Sequence, residues 1–293
     1  MKKITALLMA LVLSGCATYP PGDSPVGGTR VDSGPDTVRH LTARYHDKAT
    51  MCSNSPSAPA FLCSGVLIRG TKYSTEYHVW NPNPAGNGVS FSYLRADAKY
   101  DNLAFDYNTG FIFYPIFHAP SSKFDPEILC FFPVDGAASY RPDQGCGQTP
   151  GIIGSRECQA QGINTAAQYV AHFNASPTKY QYLCGFNVRD ELNAAATTAF
   201  NEGIKAEGLV GTFAFKTQNE IRMAMWAQNL GTTVPLEAFF YLNDAGKVGA
   251  QYNQQDFKTQ TGIWVPMIKL TLPATPAADA VFQFIAADQA ISS

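Results

Sequence analysis

Gly88-Val89-Ser90-Phe91-Ser92-Tyr93-Leu94 is the stretch that decides the fold class. Val89, Phe91 and Tyr93 recur at every second position, with Ser90 and Ser92 between them. Successive side chains of a strand point to opposite faces, so this segment packs one apolar face and shows hydroxyls on the other. Apolar and aromatic runs of similar length predict further strands at 62–68, 110–117, 128–134, 234–242, 247–252, 263–272 and 280–286. Helical spacing is legible elsewhere. Val38, Leu41 and Tyr45 predict a short helix from Asp36, with Pro35 ahead of its first turn. Residues 164–173 and 190–207 have helical composition with Asn or Asp near the start. Residues 217–230 also read as a helix, with Ile221, Ala224 and Met225 on one face. The expectation is a single mixed α+β domain over 36–290 with a mainly antiparallel sheet at its core.

Composition agrees with that class. Of 293 residues, 45% are hydrophobic and 12% aromatic, enough for a sizeable core. The 24 Gly, 19 Pro, 14 Tyr and 19 Phe favour strands and irregular loops over helix bundles. With 21 basic and 23 acidic residues the formal charge is −2, so the basic footprint of a general nucleic-acid binder is absent.

The N-terminus reads as an export signal. Lys2 and Lys3 precede an apolar run, 4–13, too short to span a bilayer. The run ends in Leu13-Ser14-Gly15-Cys16, a bacterial lipobox, so residues 1–15 form the signal and Cys16 takes the lipid. Ala17 after the cysteine points to the outer membrane. Residues 16–35 are rich in Pro, Gly, Ser and Thr and form a tether. Six cysteines remain: Cys52, Cys63, Cys130, Cys146, Cys158 and Cys184. An even set in an exported chain predicts up to three disulfides, among about 15 connectivities. Cys52–Cys63 closes the shortest loop and is the first choice. The stretch 135–161, rich in Gly, Pro and Cys, reads as a stapled insertion. No cysteine or histidine spacing suits zinc, so no metal site is expected.

Three short segments carry candidate chemistry. Ile68-Arg69-Gly70-Thr71 ends a predicted strand with an Arg beside a residue that leaves backbone room. A guanidinium there can clamp a pyrophosphate through paired charge-assisted bonds. Taken alone, a surface Arg with Gly turning the chain is the simpler reading. Ser90 and Ser92 share one strand face and can order a ribose hydroxyl or carboxylate, or can form the polar face of an edge strand. Gln218-Asn219-Glu220 sets an amide and a carboxylate two residues apart. In an extended chain both face one way and Glu220 could oppose an oxocarbenium-like sugar centre. In a helix Glu220 is the favoured acid of a first turn. Trp80 could stack on a nucleobase or nicotinamide, or fill a core. Glu237 is the runner-up acid. No order of nucleophile, His and Asp is legible, and His78 stands near Trp80 without a partner in the pattern.

Arg69, the Ser90-Phe91-Ser92 strand and Gln218-Asn219-Glu220, in that chain order, resemble the R–S–E pattern of the ADP-ribosyltransferase superfamily. Phe91 stands where the usual Thr would be, and 128 residues separate Ser92 from Glu220. The runs CSGVLIRGT (63–71), YHVWNP (77–82), GVSFSYLRAD (88–97), NTGFIFYP (108–115), CGFNVRD (184–190), QNEIRMAMW (218–226), EAFFYL (237–242) and TGIWVP (261–266) resemble the halovibrin family over most of the chain. That resemblance implies an exported enzyme that cleaves NAD on an ADP-ribosyltransferase-like fold. It makes NAD the substrate, with no separate cofactor and no metal, and leaves open water or a protein as the acceptor. By this carry-over Arg69 holds the pyrophosphate, Ser90 and Ser92 order the site, Glu220 opposes charge at C1′, and Gln218 orients the acceptor. The lipobox departs from a family of released proteins. Two rivals stand beside this expectation: a non-catalytic outer-membrane lipoprotein that binds a ligand or partner, and a different hydrolase built on Glu237 or a free cysteine.

Overall fold

The computed structural model describes residues 32–52, 60–72, 77, 89–114, 124–136, 157–175, 183–189, 194–210, 218–227 and 235–291; for 62, 124–127 and 224–227 only the backbone is described. Cys16, Trp80, His78 and Cys146, the expected signal and most of the expected tether lie outside these residues, as does 137–156 of the Gly-, Pro- and Cys-rich stretch.

Nine strands form one sheet: β1 (Val66–Thr71), β2 (Val89–Leu94), β3 (Thr109–Phe113), β4 (Phe124–Phe132), β5 (Phe186–Asn187), β6 (Glu220–Ala227), β7 (Leu236–Tyr241), β8 (Met267–Thr271) and β9 (Val281–Phe284). Their spatial order is β5-β4-β6-β2-β1-β3-β7-β8-β9. Every pairing is antiparallel except β7 with β8. The α+β class read from the sequence is therefore the observed one. The helices are α1 (Gly34–His46), α2 (Ala166–Ala175), α3 (Ala194–Val210) and α4 (Asp244–Thr261).

The sheet has a core on each face. On one, Leu67, Phe91, Tyr93, Phe111, Ile221 and Met223 pack with residues of α2, α3 and α4. On the other, Ile68, Leu94, Ile112, Phe240 and Phe282 pack with Leu41 and Tyr45 of α1 and with Tyr100 and Leu103. Burial of both faces is why β7 does not alternate: all six residues are buried, and all but Glu237 are apolar or aromatic.

Two elements differ from the sequence reading. The expected strand at 247–252 lies inside α4. Parallel β7 and β8 need a crossover, and a helix supplies it. Asn243 caps its start by accepting from the Gly246 amide at 2.9 Å, and Gly262 ends it at φ 74°. Asn253 and Gln254 are buried within that helix, where the Gln254 amide donates to the Val265 carbonyl at 2.8 Å. Within the expected helix at 217–230, residues Glu220–Ala227 form β6. Its Ala, Met and Glu content suits a helix, but pairing with β4 on one side and β2 on the other overrides that propensity.

Two disulfides join described residues. Cys52–Cys63 is the pair chosen from loop length, and Cys158–Cys184 ties the turn before α2 to the chain entering β5. Cys130 is also disulfide-bonded.

Candidate functional site

The site is built on the two central strands. Pairing of Phe91 with Ile221 and of Ser90 with Arg222 puts Ser90, Ser92, Glu220 and Arg222 on one sheet face. Because 220–227 is a strand, Glu220 and Arg222 come to the same side. Glu220 is 3% exposed and Arg222 1%, while Ser90 is half-buried.

Ser90 is the hub. Its hydroxyl donates to Glu220 Oε1 at 2.5 Å and accepts from Arg222 Nη1 at 2.6 Å. Arg222 Nη1 stands 3.8 Å from the same carboxylate oxygen. The other oxygen, Oε2, accepts from the Gly136 amide at 3.1 Å. A Cβ on Gly136 would come within 3.0 Å of that oxygen and 2.7 Å of the Phe132 ring, so a side chain is excluded there. Both carboxylate oxygens are thus held, and the Ser90 proton points at Glu220 because Arg222 already occupies its acceptor side.

Arg69 reaches this hub from the opposite direction. It pairs with Phe111 on β3 and so leaves β1 on the face opposite Ser92 and Glu220. Pairing of β1 with β2 runs only from Val66–Leu94 to Ile68–Ser92, although both strands continue. Beyond that point they part, and Arg69 Nη1 donates to the Ser90 carbonyl at 2.8 Å. Arg69 and Glu220 therefore meet at Ser90, one through the main chain and one through the side chain. Ser92 is elsewhere: 3% exposed, opposite Ile68, beside Tyr100, whose hydroxyl burial pushes up in pKa.

On the face opposite Arg69, Gly70 is covered. Leu103 and Tyr107 close over it, with a built Cβ 3.0 Å from Tyr107 and 3.3 Å from Leu103. Between them the chain takes a left-handed course at Phe105, φ 58°, and Asp106, φ 55°. Non-glycine residues there cost about 1–3 kcal/mol each and persist only where the surroundings impose them. One imposing contact is the Ala104 amide, which donates to Gln218 Oε1 at 2.9 Å. Gln218 thus holds this turn through its Oε1. The turn presents Phe105, 63% exposed, beside Tyr107 at a ring distance of 5.5 Å.

The middle residue of the segment, Asn219, is fully buried. Its Oδ1 accepts from the Tyr93 amide and its Nδ2 donates to the Tyr93 carbonyl, both at 2.7 Å. Nδ2 also donates to Glu207 Oε2 at 2.9 Å. Burial holds the Glu207 carboxyl well above its ordinary range.

Glu237 sits far along the sheet on β7. Ile112 pairs with Ala238 and Phe113 with Leu236, so Glu237 is the extra residue of a β-bulge, 2% exposed. Strands β1 and β3 stand between it and the strand of Ser90. Cys52, Cys63, Cys130, Cys158 and Cys184 are all oxidised, so none of them is a thiolate nucleophile. No group of three or more His, Cys, Asp or Glu suited to a metal occurs among the described residues.

Arg222, Asn219 and Gly136 were not picked out from the sequence. Arg222 had a legible signal, since it follows Glu220 by two, the spacing of one strand face. Gly136 had none: its tie to Glu220 spans 84 residues. No family model, curated protein or solved structure matches this chain.

Proposed function

We propose that this chain is an exported, lipid-anchored NAD glycohydrolase, ADP-ribosyltransferase-like in its site, as its resemblance to halovibrins implies. The observation that supports it is the meeting of Arg69 and Glu220 on Ser90 where β1 and β2 part. In this reading the parted strands admit the dinucleotide. Arg69 takes a phosphate oxygen in exchange for the Ser90 carbonyl. Glu220, held by Ser90 and Gly136, opposes the positive charge that develops at C1′ as the bond to nicotinamide breaks. The electron pair of that bond leaves with neutral nicotinamide, and the acceptor oxygen of water bonds to C1′ and releases one proton to the solvent. Nicotinamide is a good leaving group, so the reading needs no general acid. The disulfides support export, because such bonds persist in oxidising compartments. Cys16 is the proposed lipidation site and the outer membrane the proposed location.

A second reading is a non-catalytic lipoprotein that binds a ligand or partner. It is favoured by the deep burial of Glu220 and Arg222, which suits a structural polar cluster. Fluorescence from etheno-NAD, read with the thermal midpoint, separates the two. On the catalytic reading Glu220→Gln keeps its fold and loses on the order of 10²–10⁴ in rate. Arg69→Lys loses the planar fork and weakens NAD binding along with rate. Absence of cleavage by the wild-type chain, or normal turnover by Glu220→Gln with a lowered midpoint, sinks the catalytic reading.

A further inference from the structure

The ladder between β2 and β6 changes hands at Asn219. Backbone pairing runs from Val89–Met223 to Phe91–Ile221. In the same register Ser92 with Glu220 would follow, and then Tyr93 with Asn219. There the Asn219 side chain, not its main chain, makes both bonds to the Tyr93 amide and carbonyl. An amide side chain carries the same donor and acceptor as a peptide group, so it completes the ladder while the main chain stands off from β2 by the length of that side chain. Glu220 is the first residue after this offset.

The amide cannot turn over. A flip would set Oδ1 against the Tyr93 carbonyl and the amino group against the Tyr93 amide. The second hydrogen of Nδ2 is fixed by Glu207 of α3, itself 3% exposed. A helix on one face of the sheet thus fixes the side chain that fixes the start of β6, and Glu220 emerges toward the other face. We infer that Asn219 and Glu207 are positioning residues, setting where the Glu220 carboxylate stands relative to Ser90 and Gly136. The catalytic consequence rests on the NAD reading; the positioning itself does not.

The Gly136 amide reports the position directly, because it donates to Glu220 Oε2. Asp135-Gly136 is the one Asp–Gly dipeptide in the sequence. Carbonyl labelling of Asp with amide labelling of Gly therefore gives a single signal from the full chain. The variants are Asn219→Ala, Glu207→Met and Glu207→Gln, with Glu220→Ala marking the lost bond. Tyr45→Phe is the control for general destabilisation, since the Tyr45 hydroxyl bonds Asp279 and Ala280 and not Ser90, Gly136 or Glu220. The expected result is that Asn219→Ala and Glu207→Met move the Gly136 signal toward that of Glu220→Ala, and that Tyr45→Phe does not. With etheno-NAD, kcat falls on the order of 10²-fold with KM little changed, the cost of misplacing a reacting group by about 1 Å. Glu207→Gln keeps an acceptor oxygen and recovers most of what Glu207→Met loses. If Asn219→Ala does not fold, Glu207→Met carries the test, because it leaves Asn219 in place. A Gly136 signal unmoved in Glu207→Met overturns the positioning role, whatever the enzyme does. A signal that moves without loss of kcat overturns its link to catalysis. A signal that moves in a chain whose wild type does not cleave NAD upholds the positioning and removes the NAD reading.

Discussion

At the residue scale, Glu207 makes stability depend on pH. Its ordinary value is 4.5, and burial raises it well above that in the folded chain. Once pH passes 4.5 the unfolded chain has released a proton that the folded chain still holds. Stability therefore falls as pH rises through the window between the two values, by about 1.4 kcal/mol for each pH unit in it. Glu207→Gln has no proton to hold. Its urea midpoint should gain on that of the wild type as pH is raised from 4 toward 8, and the two curves should converge at the acid end. A gap that stays constant with pH would show that Glu207 is ionised in the fold. The same scale shows why the site was read only in part. Arg69, Ser90 and Glu220 were legible as residue types in an order. That Ser90, and not Ser92, joins the other two depends on where β1 and β2 part.

At the element scale, β6 is the instructive case. Residues 220–227 carry a composition that suits a helix, and their period-two face shows only when Glu220 and Arg222 are compared with Ile221 and Met223. Local propensity is worth tenths of a kcal/mol per residue, and pairing with two neighbouring strands outweighs it. The Cys158–Cys184 bridge also belongs to this scale. It closes a loop with a separation of 26 residues and anchors the approach to β5, the edge strand beside β4. Replacing both cysteines by Ala should cost about 3 kcal/mol by loop entropy. Chemical denaturation checks this, with Ellman titration of the native wild type expected to find none of these five sulfurs reactive: Cys52, Cys63, Cys130, Cys158 and Cys184. A reactive thiol among them, or an unchanged midpoint in the double variant, would count against the framework.

At the scale of the whole molecule, the chain's end closes the fold by the device seen at Asn219. The Gln289 amide acts as a short strand on Met267, accepting from its amide at 2.8 Å and donating to its carbonyl at 3.0 Å. Gln254 of α4 donates to the same Oε1 at 2.9 Å and accepts from the Ala290 amide at 2.9 Å. Tyr241 and Lys247 hold Asp288 beside it, and the Tyr241 bond keeps that carboxyl below its usual range. Gln289→Ala leaves the Met267 amide and Gln254 without these partners. It should lower stability by about 1–3 kcal/mol with the m-value unchanged, and should leave the Gly136 signal where it is. A fall in m-value would mean that the end of the chain unfolds on its own.

The sequence by itself determined the class of the fold, the strand that carries the serines, the short-loop disulfide and the residue types worth watching. These rest on interactions a few residues long: alternation along a strand, turn chemistry and loop closure. Only the tertiary structure decided that 220–227 is a strand, that 247–252 lies in a crossover helix, that Gln218 holds a turn and that Arg222 and Gly136 complete the acid's surroundings. Each of these depends on a partner far away in the chain, 84 residues in the case of Gly136 and 130 in that of Ser90. Such partners share no local pattern. Their meeting is fixed by the order in which the strands assemble, and that order is an outcome of packing the whole sheet between its two cores.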